Sequence, residues 1–119
     1  MSMATKVLVI IVALEHLYFL YLEMFAWTKP RTRKAFGLTE EAAQTTKVMA
    51  GNQGLYNGFL SAGLLWSLLA PPDFGKQLVL FFAGCVAVAG IYGAATVTKR
   101  VLFLQAMPAL ITIAVTLLT

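Results

Sequence analysis

Four apolar runs of similar length dominate this chain, at residues 6–27, 50–70, 76–97 and 101–119. Each approaches the roughly 20 residues that a helix needs to cross about 30 Å of hydrocarbon. The runs are continuous rather than alternating, unlike the wall of a β-barrel. A helix also satisfies its backbone polar groups internally, which lipid cannot do. The sequence therefore predicts an all-α fold: an integral membrane four-helix bundle, up-down-up-down, with residues 1–119 as a single transmembrane domain.

Composition supports that solvent. Only 12% of the 119 residues are charged and 60% are hydrophobic, whereas a soluble domain carries about 25% charged residues. So few charges cannot coat a water-facing globule. The net charge of +4 would point to nucleic acid in a soluble protein. Here the basic residues lie in short loops beside apolar runs, so they read as topology signals and contacts to membrane lipids, with no nucleic-acid partner. Cys85, the one cysteine, makes no internal disulfide and reads as a small buried or lipid-facing side chain. Lys6 and the apolar residues 7–14 resemble a signal peptide, but the run continues to Trp27 without a small-residue cleavage site, so a retained helix is expected.

The connections fit the division. Residues 28–49 form the one long loop, where Pro30 is expected to end the first helix. Thr39 followed by Glu40 and Glu41 is a helix-start pattern, so residues 40–49 are expected to form a short interfacial helix between the first two spans that runs into the second. Pro71-Pro72-Asp73 reads as a tight turn, and Thr98-Lys99-Arg100 as the turn of an antiparallel hairpin. Lys29, Arg31, Arg33, Lys34 and Lys47 in the first loop, with Lys99 and Arg100 in the third, outnumber Lys6 and Lys76 on the other side. The positive-inside rule then puts those loops in the cytoplasm and both termini outside. The chain is then expected to cross its membrane several times.

Polar residues inside the runs carry the functional reading. A charged side chain at a helix centre costs about 2.5–3.5 kcal/mol on insertion scales, yet the first run holds Glu15, His16 and Glu23. His16 and Glu23 are seven residues apart and share a face, whereas Glu15 is rotated by about 100° and is expected to meet a different neighbour. On the second run Asn52 pairs with Tyr56, and Gln53 with Asn57, at spacings of four. Tyr92 lies on the third run and Gln105 and Pro108 on the fourth. Counted at 1.5 Å per residue, Glu23, Tyr56, Asn57, Tyr92 and Gln105 fall within roughly 5–12 Å of the cytoplasmic boundary. Such a layer could line a pocket, with Glu15, His16 and Glu23 as acid–base groups and Asn52, Gln53, Tyr56, Asn57, Tyr92 and Gln105 as ligand-binding groups. Asn, Gln and Tyr serve equally well as interhelical glue, at about 0.6 kcal/mol per bond. Gly54, Gly58 and Ala62, and likewise Gly90 and Ala94, recur every fourth position and allow close helix packing. No phosphate-binding glycine loop or metal-ligand spacing is present, so no cofactor and no metal are expected.

Three stretches carry a family resemblance: Glu15-His16-Leu17-Tyr18 with Leu22-Glu23-Met24-Phe25-Ala26-Trp27, then Asn52-Gln53-Gly54-Leu55-Tyr56-Asn57-Gly58-Phe59-Leu60, then Gln105-Ala106-Met107-Pro108-Ala109. Together they resemble the small bacterial membrane proteins grouped as domain of unknown function 1304. The resemblance covers essentially the whole chain. It implies a four-helix membrane protein, located in a bacterial inner membrane, and brings no activity with it. Three readings of the residues are open. The first is a binder or enzyme for a small lipophilic molecule. The second is a proton-coupled transporter or channel, acting as a homo-oligomer. The third is a structural or accessory protein whose polar groups are packing glue.

Overall fold

The computed structural model describes every residue, Met1–Thr119. It is entirely helical. The elements are α1 (Met3–Phe25), α2 (Pro30–Phe36), α3 (Glu40–Leu69), α4 (Pro72–Thr96), a π-helical turn (Leu102–Ala106) and α5 (Met107–Leu118). Two helices, α1 with 23 residues and α4 with 25, are long and apolar enough to cross a membrane, and Leu102–Leu118 is apolar but shorter. Large apolar side chains stand exposed along the long helices, among them Ile11 and Leu14 on α1, Leu65 on α3, Phe81 and Val88 on α4 and Leu117 on α5.

Several boundaries differ from the sequence expectation. Residues 40–49 run into the second span as expected, and the two form one unbroken helix, α3, of 30 residues and about 45 Å at 1.5 Å per residue. Thr39 starts it as expected, its hydroxyl accepting the Ala42 N–H at 3.0 Å. No proline interrupts residues 40–69, so the helix has no reason to stop at residue 50. Pro30 does not end α1, which stops at Phe25. It begins a further helix, α2, where its fixed φ and missing N–H suit the first position. Gly37 closes α2 in the left-handed region, φ 67°, and the Leu38 N–H returns to the Arg33 carbonyl at 2.8 Å. That is a Schellman closure, which glycine adopts without steric cost. The second proline turn is shorter than expected, because Pro72 and Asp73 already belong to the first turn of α4.

The fourth run is not a uniform α-helix. Pro108 has no N–H and its ring crowds the carbonyl four residues back. The chain widens just before it, and the Met107 N–H reaches the Leu102 carbonyl, five residues away. Such a π-turn is a standard way to absorb a proline or an inserted residue.

The chain divides into two compact units. One comprises Met1–Leu14 and Leu60–Thr119. Its core is Val9, Val12 and Ala13 of α1, Leu64 of α3, Val79, Val86 and Ala87 of α4 and Ala109 of α5. Here α4 and the final segment run antiparallel. A Cβ built at Gly90 would lie 2.6 Å from the Ala106 nitrogen, and one at Gly93 would lie 3.0 Å from Val101. The recurring small residue at 90 thus serves backbone-to-backbone packing, as its spacing implies. The Ser61 hydroxyl donates to the Ala13 carbonyl at 2.8 Å. Hydroxyls of Ser2 and Thr119 meet at 2.8 Å, which ties the chain ends. The other unit, Glu15–Phe59, contains most of the polar residues.

Candidate functional site

Glu23 occupies the last turn of α1 and is only 4% exposed. Gln53 and Asn57 lie one turn apart on α3 and so present side chains to the same face. Both reach Glu23. The Gln53 Nε2 donates to Oε2 at 2.6 Å, and the Asn57 Nδ2 donates to Oε1 at 2.5 Å. Each carboxylate oxygen thus has its own amide donor, and Asn57 is itself 8% exposed.

Gly54 makes this approach possible. A Cβ there would sit 2.8 Å from Met24 Cγ, 3.0 Å from Glu23 Cβ and 3.2 Å from the Leu20 carbonyl oxygen. Gly58 similarly accommodates Leu20, with Cδ1 at 2.6 Å from where a Cβ would stand. The small stripe anticipated on α3 therefore works at 54 and 58. Ala62 is exposed and takes no part in packing within the chain, where Gly63 instead faces the Phe82 ring.

His16 lies two turns before Glu23, is fully buried and meets Phe19 edge-on with ring centroids 5.2 Å apart. Its Nδ1 stands 3.8 Å from Glu15 Oε1. Rotation by about 100° was expected to send Glu15 to a different neighbour. Instead the flexible carboxylate folds back beside the adjacent imidazole. Its Oε1 is buried and has no hydrogen-bond partner, although the residue as a whole is partly exposed.

On α3 the two expected pairs of polar residues part ways. Asn52 is exposed and turns its amide onto its own helix, donating to the Val48 carbonyl at 2.9 Å. Tyr56 is 66% exposed and packs edge-on against Phe59. Both sit one residue, and hence about 100°, away from the face that Gln53 and Asn57 present. Tyr92, in the other unit, is 71% exposed. It borders a shallow apolar groove along α4 with Phe81, Cys85 and Val88. Gln105 is partly buried in the π-turn. A second apolar groove runs along Leu102, Phe103, Met107 and Leu110, and neither groove includes a member of the Glu23 cluster. No three His, Cys, Asp or Glu side chains gather as a metal set.

One contact near the cluster was not anticipated. The Trp27 indole N–H donates to Thr46 Oγ1 at 3.0 Å, and its ring packs on Phe36 at 5.0 Å. Trp27 reads as an interfacial anchor, but nothing in the spacing singles out Thr46 as its partner.

The Glu15–Trp27, Asn52–Leu60 and Gln105–Ala109 motifs all fall within the region matched by a known family. The family described as Protein of unknown function (DUF1304) matches residues 10–117. The chain belongs to this family. A bacterial relative, the uncharacterized protein YpaA of Lactococcus lactis subsp. lactis (strain IL1403), is 29% identical over 110 residues. That alignment covers 88% of this chain and 89% of the relative. No solved structure matches the chain.

Proposed function

We propose that the chain is a multi-pass protein of a bacterial inner membrane that binds, or transforms, a small lipophilic molecule at Glu23. The membrane part of this reading rests on α1, α4 and the exposed apolar side chains. In it, α1, the apolar part of α3, α4 and the π-turn with α5 form a four-helix, up-down-up-down bundle, a single transmembrane domain. Both termini lie outside, with α2 and the Thr98-Lys99-Arg100 turn in the cytoplasm. Single cysteines placed in each loop of a Cys85→Ser chain, labelled with a membrane-impermeant maleimide on intact and on opened cells, test that orientation. Labelling of residue 35 from outside intact cells would refute it.

The Glu23 cluster carries the binding reading. A carboxylate that is 4% exposed is held by Asn57, which is buried, and by Gln53, which is exposed. The cluster thus runs from the interior to the protein surface. A ligand with a hydroxyl or amine head could take the Gln53 position on Oε2 while its apolar body stays in the membrane. Glu23 would accept that hydrogen bond and Asn57 would hold the carboxylate in place. Asn52 and Tyr56 turn away from the face of α3 that meets Glu23, so the proposed core of the site is Glu23, Gln53 and Asn57. The test is an organic extract of purified wild type compared by mass spectrometry with that of Glu23→Gln. A stoichiometric lipophilic compound present only in the wild type supports the reading. Identical extracts would leave the cluster as packing glue.

A second reading, proton-coupled transport by a homo-oligomer, draws on Glu15 and His16. A buried carboxylate oxygen without a hydrogen bond, 3.8 Å from an imidazole, is suited to passing a proton. Proteoliposomes that show no proton or solute flux, or the same flux with Glu15→Gln, would remove it.

A further inference from the structure

Neither the Glu23 cluster nor the Glu15–His16 pair involves the side chains of the basic segment between α1 and α3. Lys29, Arg31, Lys34 and Lys47 are exposed, and no acidic side chain lies within ion-pair distance of any of them. Glu40 and Glu41 are near in sequence yet pair with none. Unpaired cations on a loose loop would read as a solvated surface. This segment, however, is a built element.

On α2 the geometry sets two of the cations on one side. On α2, Thr32 is buried and Phe36, one turn later, packs its ring on Trp27. That is the held face. Arg31 and Lys34, three residues apart, share the exposed side. The Trp27–Thr46 bond fixes the indole against α3 one residue before Lys47. The Arg33 Nε donates to the Thr28 carbonyl at 3.1 Å, so that arginine closes the turn instead of joining the exposed set. The Schellman closure at Gly37 stops the helix at a defined point. Phe36 keeps 46% of its surface exposed beside these charges.

From this arrangement we infer that α2 and its flanks form a docking surface for the anionic phospholipid headgroups of the bilayer. The inference rests on the membrane reading under Proposed function. Charge complementarity identifies the occupant. Arginine forks and lysine ammonium groups both pair with phosphate oxygens, and juxtamembrane cations near an aromatic ring at the end of an apolar helix meet headgroups before any other anion. Arg31, Lys34 and Lys29 contact the lipid phosphates, with Lys47 alongside. Trp27 and Phe36 sit at the glycerol level beneath them.

Trp27 reports on this directly, since Trp66 is the only other tryptophan. The full chain carrying Trp66→Phe is reconstituted into vesicles of phosphatidylcholine and phosphatidylglycerol, with one lipid or the other brominated to quench indole fluorescence. The expected result is a preference for phosphatidylglycerol around Trp27 of at least about fivefold, the equivalent of one cation near the surface. Adding Lys29→Gln, Arg31→Gln and Lys34→Gln, all at exposed side chains, should bring it to parity. Equal quenching by both lipids, or a preference that survives the three substitutions, overturns the inference and leaves the membrane reading standing. A chain recovered apart from the vesicles, with no quenching by either lipid, refutes both.

Discussion

The hydrogen bonds to Glu23 can be ranked before they are measured. Replacing Asn57 by leucine removes the donor to Oε1 and leaves a nearly buried carboxylate oxygen without a partner. Two magnitudes bear on the cost. Hydrogen bonds to charged groups in soluble proteins contribute about 1.5–3 kcal/mol. Interhelical bonds in membranes average about 0.6 and reach about 1.7 kcal/mol, because the unfolded chain finds other partners. On the membrane reading proposed above the second scale applies, and the 2.5 Å bond between two nearly buried residues belongs at its upper end. The Glu23–Asn57 coupling should therefore be about 1–1.7 kcal/mol. The Gln53 donor is exposed and can find other partners, so the Glu23–Gln53 coupling should be nearer about 0.6 kcal/mol. The assay is a double-mutant cycle with Glu23→Leu, Asn57→Leu and Gln53→Leu, read as unfolding free energy in bicelles. A Glu23–Asn57 coupling indistinguishable from zero would refute the reasoning. So would one smaller than that of Gln53.

The packing sets further outcomes. Gly54→Ala should destabilise by about 1–3 kcal/mol, because its methyl meets Met24, Glu23 and the Leu20 carbonyl. Gly84→Ala, with no atom within 4 Å of the new Cβ, should be neutral or stabilising by up to about 1 kcal/mol through helix propensity; the same bicelle unfolding measurement separates the two. Thr39→Ala should cost about 1 kcal/mol by removing the cap on the Ala42 N–H, seen as faster amide exchange confined to the first turn of α3. Trp27→Phe keeps an aromatic ring for Phe36 but loses the bond to Thr46. It should cost about 0.5–1.5 kcal/mol in thermal unfolding, and Thr46→Val in the same background should then add little.

Helix starts and stops were legible where one residue carries the physics. Thr39 announced α3 because a hydroxyl at that position satisfies an otherwise orphaned N–H. Pro30 misled because proline is disfavoured inside a helix and favoured at its first turn. Sequence spacing alone does not say which role it takes. The α2 helix and its closure at Gly37 escaped notice for a related reason, since seven residues carry too little apolar pattern to register. The π-turn before Pro108 answers a crowding that the proline signals, but whether the chain kinks, stops or widens depends on what packs against it. Gly90 against Ala106 settles that locally.

The site divides along the same line. Sequence spacing put Gln53 and Asn57 on one face, and the expense of a carboxylate in an apolar run marked Glu23 as needing partners. It could not tell that face from the one bearing Asn52 and Tyr56, because helical periodicity is relative and has no zero. The packing of α3 on α1 supplies the zero, with Gly54 leaving room for Met24 and Glu23. Glu15 shows the converse: its backbone rotation was read correctly, but a flexible side chain can cross that angle to reach His16. The sequence by itself thus determined an all-helical chain, its apolar runs and the short set of polar residues worth attention. Only the tertiary structure decided which of them meet, because a hydrogen bond needs atoms within about 3 Å and helix rotation is fixed by neighbours.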